Sequence, residues 1–129
     1  MKNLKKKIEI TVEKTDSGYS AYAENMNVFS TGKDITELYA NLLEALNFAY
    51  EDLGYEITVE NLKLNLDFQQ FFQYYKVLNA NFLAKRIGMN PTLLSQYVRG
   101  KKHPSCKQTD QIIQGIQSIG KELADVRLV

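Results

Sequence analysis

The chain has 129 residues, 44% hydrophobic and 24% charged, with a net charge of +1, a composition that suits one globular domain or two small ones. No apolar run approaches the roughly 18 residues of a membrane span, and the basic start Met1-Lys2-Asn3-Leu4-Lys5-Lys6-Lys7 lacks the apolar region of a signal peptide. A single cysteine, Cys106, and a single histidine, His103, exclude an internal disulfide and argue against a metal or cofactor, so a cytoplasmic protein is expected.

From Lys7 to Glu13 apolar Ile8, Ile10 and Val12 alternate with Glu9, Thr11 and Glu13, the period of a half-buried strand. Thr15-Asp16-Ser17-Gly18 is turn chemistry, and Tyr19, Ala21 and Ala23 alternate with Ser20, Tyr22 and Glu24 in a returning strand. Met26 to Thr31 supplies a third strand, ended by Gly32. Asp34 and Glu37 have the spacing of a capping box. The helix they open carries Ile35, Leu38, Tyr39, Leu42, Leu46, Ala49, Tyr50 and Leu53 on one stripe, with Gly54 as its C-cap. Leu62, Leu64 and Leu66 then alternate with Lys63 and Asn65 in a last strand. Residues 1–66 are thus expected to form a small antiparallel ββ(β)αβ domain, one helix on one sheet.

Gly18-Tyr19-Ser20-Ala21, the run Thr31-Gly32-Lys33-Asp34-Ile35-Thr36-Glu37-Leu38, then Leu42 and Glu44-Ala45-Leu46, resemble the HicB antitoxin domain. The resemblance covers most of residues 7–55 and implies a partial ribonuclease-H-like fold. It also implies a partner, a small HicA-like messenger-RNA-cleaving toxin. Where that family has a Pro-Glu-Leu-Pro-Gly-like stretch, this chain departs from it with Glu24-Asn25-Met26-Asn27-Val28.

From Phe68 onward the pattern is helical, and residues 67–129 are expected to form an all-α second domain. Phe68, Phe71, Phe72 and Tyr75 make a stripe that is core rather than a base-stacking platform. Asn79 or Asn81 caps the next helix. Leu83, Ala84 and Ile87 face Leu94 and Tyr97 or Val98 across a corner at Gly88; Asn90 caps the following helix and Pro91 takes its first position. Gly100 breaks that helix, and Ser105 with Gln108 makes another capping box. Ile112, Ile116, Ile119 and Leu123 line the last helix; Gly115 and Gly120 permit close packing or end it early. Its tail, with Val126 and Leu128, suits a dimer contact.

The corner from Leu83 to Lys102 resembles the helix-turn-helix of Cro/XRE-type phage repressors, with Ala84 at the tight position and Gly88 at the turn. That resemblance implies binding of operator DNA by a two-fold dimer. Thr92, Ser95 and Gln96 carry the hydroxyl and amide groups that read base edges, with Asn90 and Pro91 fixing the helix start. Arg99, Lys101, Lys102 and His103 suit phosphates. Charge agrees: residues 1–67 carry seven lysines and twelve acids, residues 68–129 nine basic side chains and three acids. No acid stands between Asp67 and Asp110.

Two other classes of function remain open. One is an interaction module whose helical half only oligomerises. The other is a metal-dependent nuclease, for which Asp16, Glu24, Asp34 and Glu37 are the available carboxylates. Turn and capping roles account for most of these, so the chain is not expected to be an enzyme. Cys106, in the first turn of a helix, is a tolerated residue rather than a nucleophile.

Overall fold

A computed structural model describes residues 1–128. The chain is a mixed α+β protein with a helix-rich C-terminal region, and it divides into two compact units, Met1–Phe71 and Phe72–Val129.

In the first unit, β2 (Ile8–Thr15) and β3 (Gly18–Ala23) form the expected hairpin, with Val12 opposite Ala21. β4 (Val28–Gly32) pairs antiparallel with β3 and starts two residues later than Met26. Glu24–Met26 instead make one tight 3₁₀ turn, closed by Asn27 in the left-handed region (φ 51°), a conformation that asparagine tolerates better than most residues. Helix α1 (Ile35–Tyr50) follows, capped by Asp34, whose Oδ1 accepts the Glu37 N–H at 2.8 Å.

β6 (Leu62–Leu66) corrects the expected topology. It lies beside β2 and runs parallel to it, Ile10 opposite Leu64, giving the order β4-β3-β2-β6. The sheet is therefore mixed rather than antiparallel. Return in the same direction needs a long crossover, and α1 with its flanking turns supplies it. A second, two-stranded parallel sheet joins β1 (Lys2–Asn3) to β5 (Tyr55–Glu56). Both strands are too short to leave any alternation in the sequence.

Ile8, Ile10, Val12, Ala21, Ala23 and Val28 of the sheet pack with Leu38, Leu42, Leu46 and Tyr50 of α1. The three leucines are fully buried, so cutting any one back to alanine would cost about 2–5 kcal/mol. The two ends of the expected stripe leave the core: Ile35 is 40% and Leu53 59% exposed. Leu53 turns out because the α-helix stops at Tyr50 and a 3₁₀ turn, capped by Gly54, replaces it. Two side-chain amides replace missing ladder bonds. Asn47 donates to the Ile57 carbonyl (3.0 Å) and accepts its N–H (2.7 Å); Gln70 of α2 (Phe68–Tyr74) does the same for Lys14, at 2.7 and 2.9 Å.

The second unit holds three helices: α3 (Ala80–Ile87), α4 (Pro91–Val98) and α5 (Cys106–Ala124). Its buried side chains include Phe72, Leu83, Ala84, Met89, Leu94, Tyr97 and Ile112. Of the aromatic stripe, Phe68 and Phe72 are buried while Phe71 and Tyr75 are half-buried. Among the described residues no helix is long and apolar enough to cross a membrane.

Candidate nucleic-acid interface

The corner between α3 and α4 is built by its own caps. Asn79, not Asn81, caps α3, its Oδ1 accepting the Phe82 N–H at 3.1 Å. At the other end Gly88 is left-handed (φ 73°), and the Met89 N–H returns to the Ala84 carbonyl at 2.9 Å. This is a Schellman turn, which satisfies the last carbonyls of α3 and reverses the chain. Asn90 then caps α4, accepting from Thr92 (2.8 Å) and Leu93 (3.4 Å), with Pro91 at the first helical position. Leu94 and Tyr97 point inward, buried, while Val98 is half-buried.

The opposite face of α4 is open. Thr92 and Arg99 are exposed, and Ser95 and Gln96 half-buried. Their spacing of three and four residues places them on one side of the helix. Pro91, Thr92, Ser95 and Arg99 share an open groove of about 630 Å³ with Leu78, Asn79, Ala80 and Asn81 at the start of α3. The sequence pattern offers Asn81 only as an alternative cap. Its place in the groove depends on how α3 packs on α4, which no local pattern encodes.

Lys101, Lys102 and His103 follow α4 and are all exposed. A second Schellman turn, at Gly100 (φ 74°), sends this segment back along α4. The Lys101 and Lys102 N–H groups donate to the Gln96 carbonyl at 2.9 and 3.3 Å, and Gly100 donates to Tyr97 at 3.1 Å.

α5 braces the corner from behind. Its capping box is complete, Ser105 Oγ accepting from Gln108 N–H (3.2 Å) and Gln108 Oε1 from Ser105 N–H (3.1 Å). The same Oε1 accepts the Tyr97 hydroxyl at 2.6 Å, a bond spanning eleven residues that the sequence pattern does not reveal. Gln111 donates to the Ile87 carbonyl at 2.7 Å, and Arg86 pairs with Glu122. Arg86 thus belongs to the packing of α3 on α5, and its charge is matched. Lys85 lies over the Phe82 ring, 5.4 Å from its centre.

The other candidates fall apart in space or into local roles. Asp34 caps α1, Glu37 lies 4.0 Å from Lys33, Asp16 sits in the hairpin turn and Glu24 in the 3₁₀ turn. Among the described residues no three His, Cys, Asp or Glu side chains gather into a group that could hold a metal ion. Cys106 is an exposed free thiol at the first position of α5. Gly120 does not end α5, which runs on to Ala124; Leu123, Val126 and Leu128 at its far end are exposed. Compared with family models, curated proteins and solved structures, the chain gives no match.

Proposed function

We propose that the chain is a DNA-binding transcriptional regulator of the HicB antitoxin type, its C-terminal unit contacting operator DNA through a helix-turn-helix made of α3 and α4. The observation that carries this reading is the outward face of α4. It offers uncharged polar tips at Thr92, Ser95 and Gln96 beside the cations Arg99, Lys101 and Lys102, within a stretch that has no acid from Phe68 to Thr109. Hydroxyl and amide groups discriminate base edges, whereas cations alone bind any duplex. Asn90 and Pro91 set the start of the reading helix, and His103 adds a phosphate neighbour.

A single reading helix spans few base pairs, so a two-fold dimer is the working form, with half-sites about 34 Å apart. The exposed Leu123, Val126 and Leu128 suit the dimer contact. The acidic N-terminal unit takes the protein partner, a HicA-like toxin by the resemblance of residues 7–55. Charge complementarity there speeds encounter more than it tightens the complex.

A gel-shift series over the chain's own promoter tests the DNA-binding reading. Gln96→Ala loses discrimination between operator and scrambled duplex, by about 1–3 kcal/mol for one bidentate contact. Lys102→Ala weakens both duplexes alike and flattens the salt dependence by about one unit. Identical behaviour of the two variants refutes base reading by α4. Co-purification with the product of a small neighbouring reading frame tests the partner.

A further inference from the structure

We propose that the Tyr97 hydroxyl is a positioning group: it closes the segment from Lys101 to Pro104 into a ring, so that Lys101, Lys102 and His103 meet the phosphates of a duplex as one preset array. The proposal rests on the DNA-binding reading above.

The ring can be traced bond by bond. The segment leaves α4 with the N–H groups of Lys101 and Lys102 held on the Gln96 carbonyl. It ends at Ser105, whose N–H donates to Gln108 Oε1 at 3.1 Å. Tyr97, the residue after Gln96, donates its hydroxyl to that same oxygen at 2.6 Å. One amide oxygen therefore accepts from both ends of the basic segment. Remove the hydroxyl and the far end loses this hydrogen bond to α4, while its bond to α5 remains.

Tyr97 is buried and Gln108 half-buried, so the bond is partly shielded from water. The side chains of Lys101, Lys102 and His103 are all exposed. A loop ordered in the free protein loses no further backbone freedom when it binds, so several phosphate contacts form together. Each such contact releases condensed counterions and adds about 0.9 to the slope of log K against log salt. That slope counts aligned cations. General loss of packing at Tyr97 does not change the count.

The test uses the full chain and the Tyr97→Phe variant, which keeps the ring and removes only the oxygen. Both are titrated with salt against a short duplex from the chain's own promoter and a scrambled duplex. Amide exchange at Ser105, the far end of the segment, is followed in the free proteins. We expect the variant's salt slope to fall by about one to two units while it still prefers the promoter duplex. We also expect exchange at Ser105, whose N–H shares the Gln108 acceptor, to quicken about tenfold or more. An unchanged slope overturns the proposal, whatever the change in affinity. If Tyr97→Phe does not fold, Gln108→Met removes the shared acceptor, and with it the Ser105 capping bond, and is judged by the same slope. If the parent chain binds neither duplex, the DNA-binding reading fails; unchanged exchange in the variant would then overturn the ring separately.

Discussion

Gly115 of α5 lies flat against Ile87 of α3: a Cβ built on this glycine would stand 2.3 Å from Ile87 Cγ2 and 3.3 Å from Leu83 Cδ1. Ile87 is β-branched and on a helix, so its methyl cannot swing aside cheaply. Gly115→Ala should therefore destabilise the C-terminal unit by about 1–3 kcal/mol through overpacking, despite alanine's better helix propensity. Gly120, five residues on in the same helix, has nothing within 4 Å of the equivalent position. Gly120→Ala should stabilise by about 0.5–1 kcal/mol. Urea denaturation of the two variants beside the parent checks both signs at once. Equal shifts would mean that α3 and α5 do not meet at Gly115.

The Asn90 side chain accepts from the first N–H groups of α4, at Thr92 and Leu93. Asn90→Ala should cost about 1 kcal/mol, and Asn90→Asp should keep the stability within a few tenths because its carboxylate caps equally well. The same pair of variants separates capping from DNA contact. If Asn90→Asp is stable but binds duplex far more weakly, the side chain also faces phosphate.

Gln70 stands in for a strand. β6 stops at Leu66, and β2 runs on past it to Thr15. The Gln70 amide supplies both a donor and an acceptor to Lys14 there. Gln70→Ala removes two part-buried bonds, for an expected loss of about 1–3 kcal/mol. Faster amide exchange at Lys14 would locate the loss; exchange at the parent rate would rule this role out.

At Glu60 the fold shifts the titration of a carboxyl group. The Thr58 hydroxyl, 2.8 Å from its carboxylate, holds its pKa below the ordinary 4.5; its own backbone N–H and the nearby Lys7 act in the same direction. A lowered folded-state pKa means that the ionised form stabilises the fold. That contribution is present above the ordinary pKa and fades as pH falls through the lowered one. Glu60 is exposed, so the effect on stability is small, and an NMR titration of its carboxyl carbon is the suitable measurement. In Thr58→Val the midpoint should rise toward the ordinary value.

The elements whose cause lies within a few residues were legible beforehand. The β2–β3 hairpin follows from alternation and the turn at Asp16. Asp34, Asn90 and Ser105 cap the helices they were expected to cap, because an N-cap answers only to N–H groups two or three residues ahead. Gly88 and Gly100 turn the chain where glycine spacing placed them. The polar face of α4 was equally plain, since Leu94 and Tyr97 had to face the other way.

Misreadings begin where a local pattern is cut short or shared. Leu53 fits the helical stripe of α1, yet the helix has already tightened to 3₁₀ by Glu51. Met26 fits a strand, yet Asn27 turns left-handed first. Asn81 fits a cap as well as Asn79 does, and the choice depends on which asparagine has an extended backbone.

By itself, the sequence determined the longer strands and the helices of this protein, the caps of most of these helices, and an acid-free basic stretch around one polar helix face. Periodicity, capping and charge act over a few residues, so the order of residues suffices to state them. Only the tertiary structure decided that β6 returns parallel to β2, that Arg86 is matched by Glu122, that Gly115 admits Ile87, and that Tyr97 reaches Gln108. Each of these depends on which surfaces of separate elements meet, and that choice is made by burial of the whole core, not by neighbours along the chain.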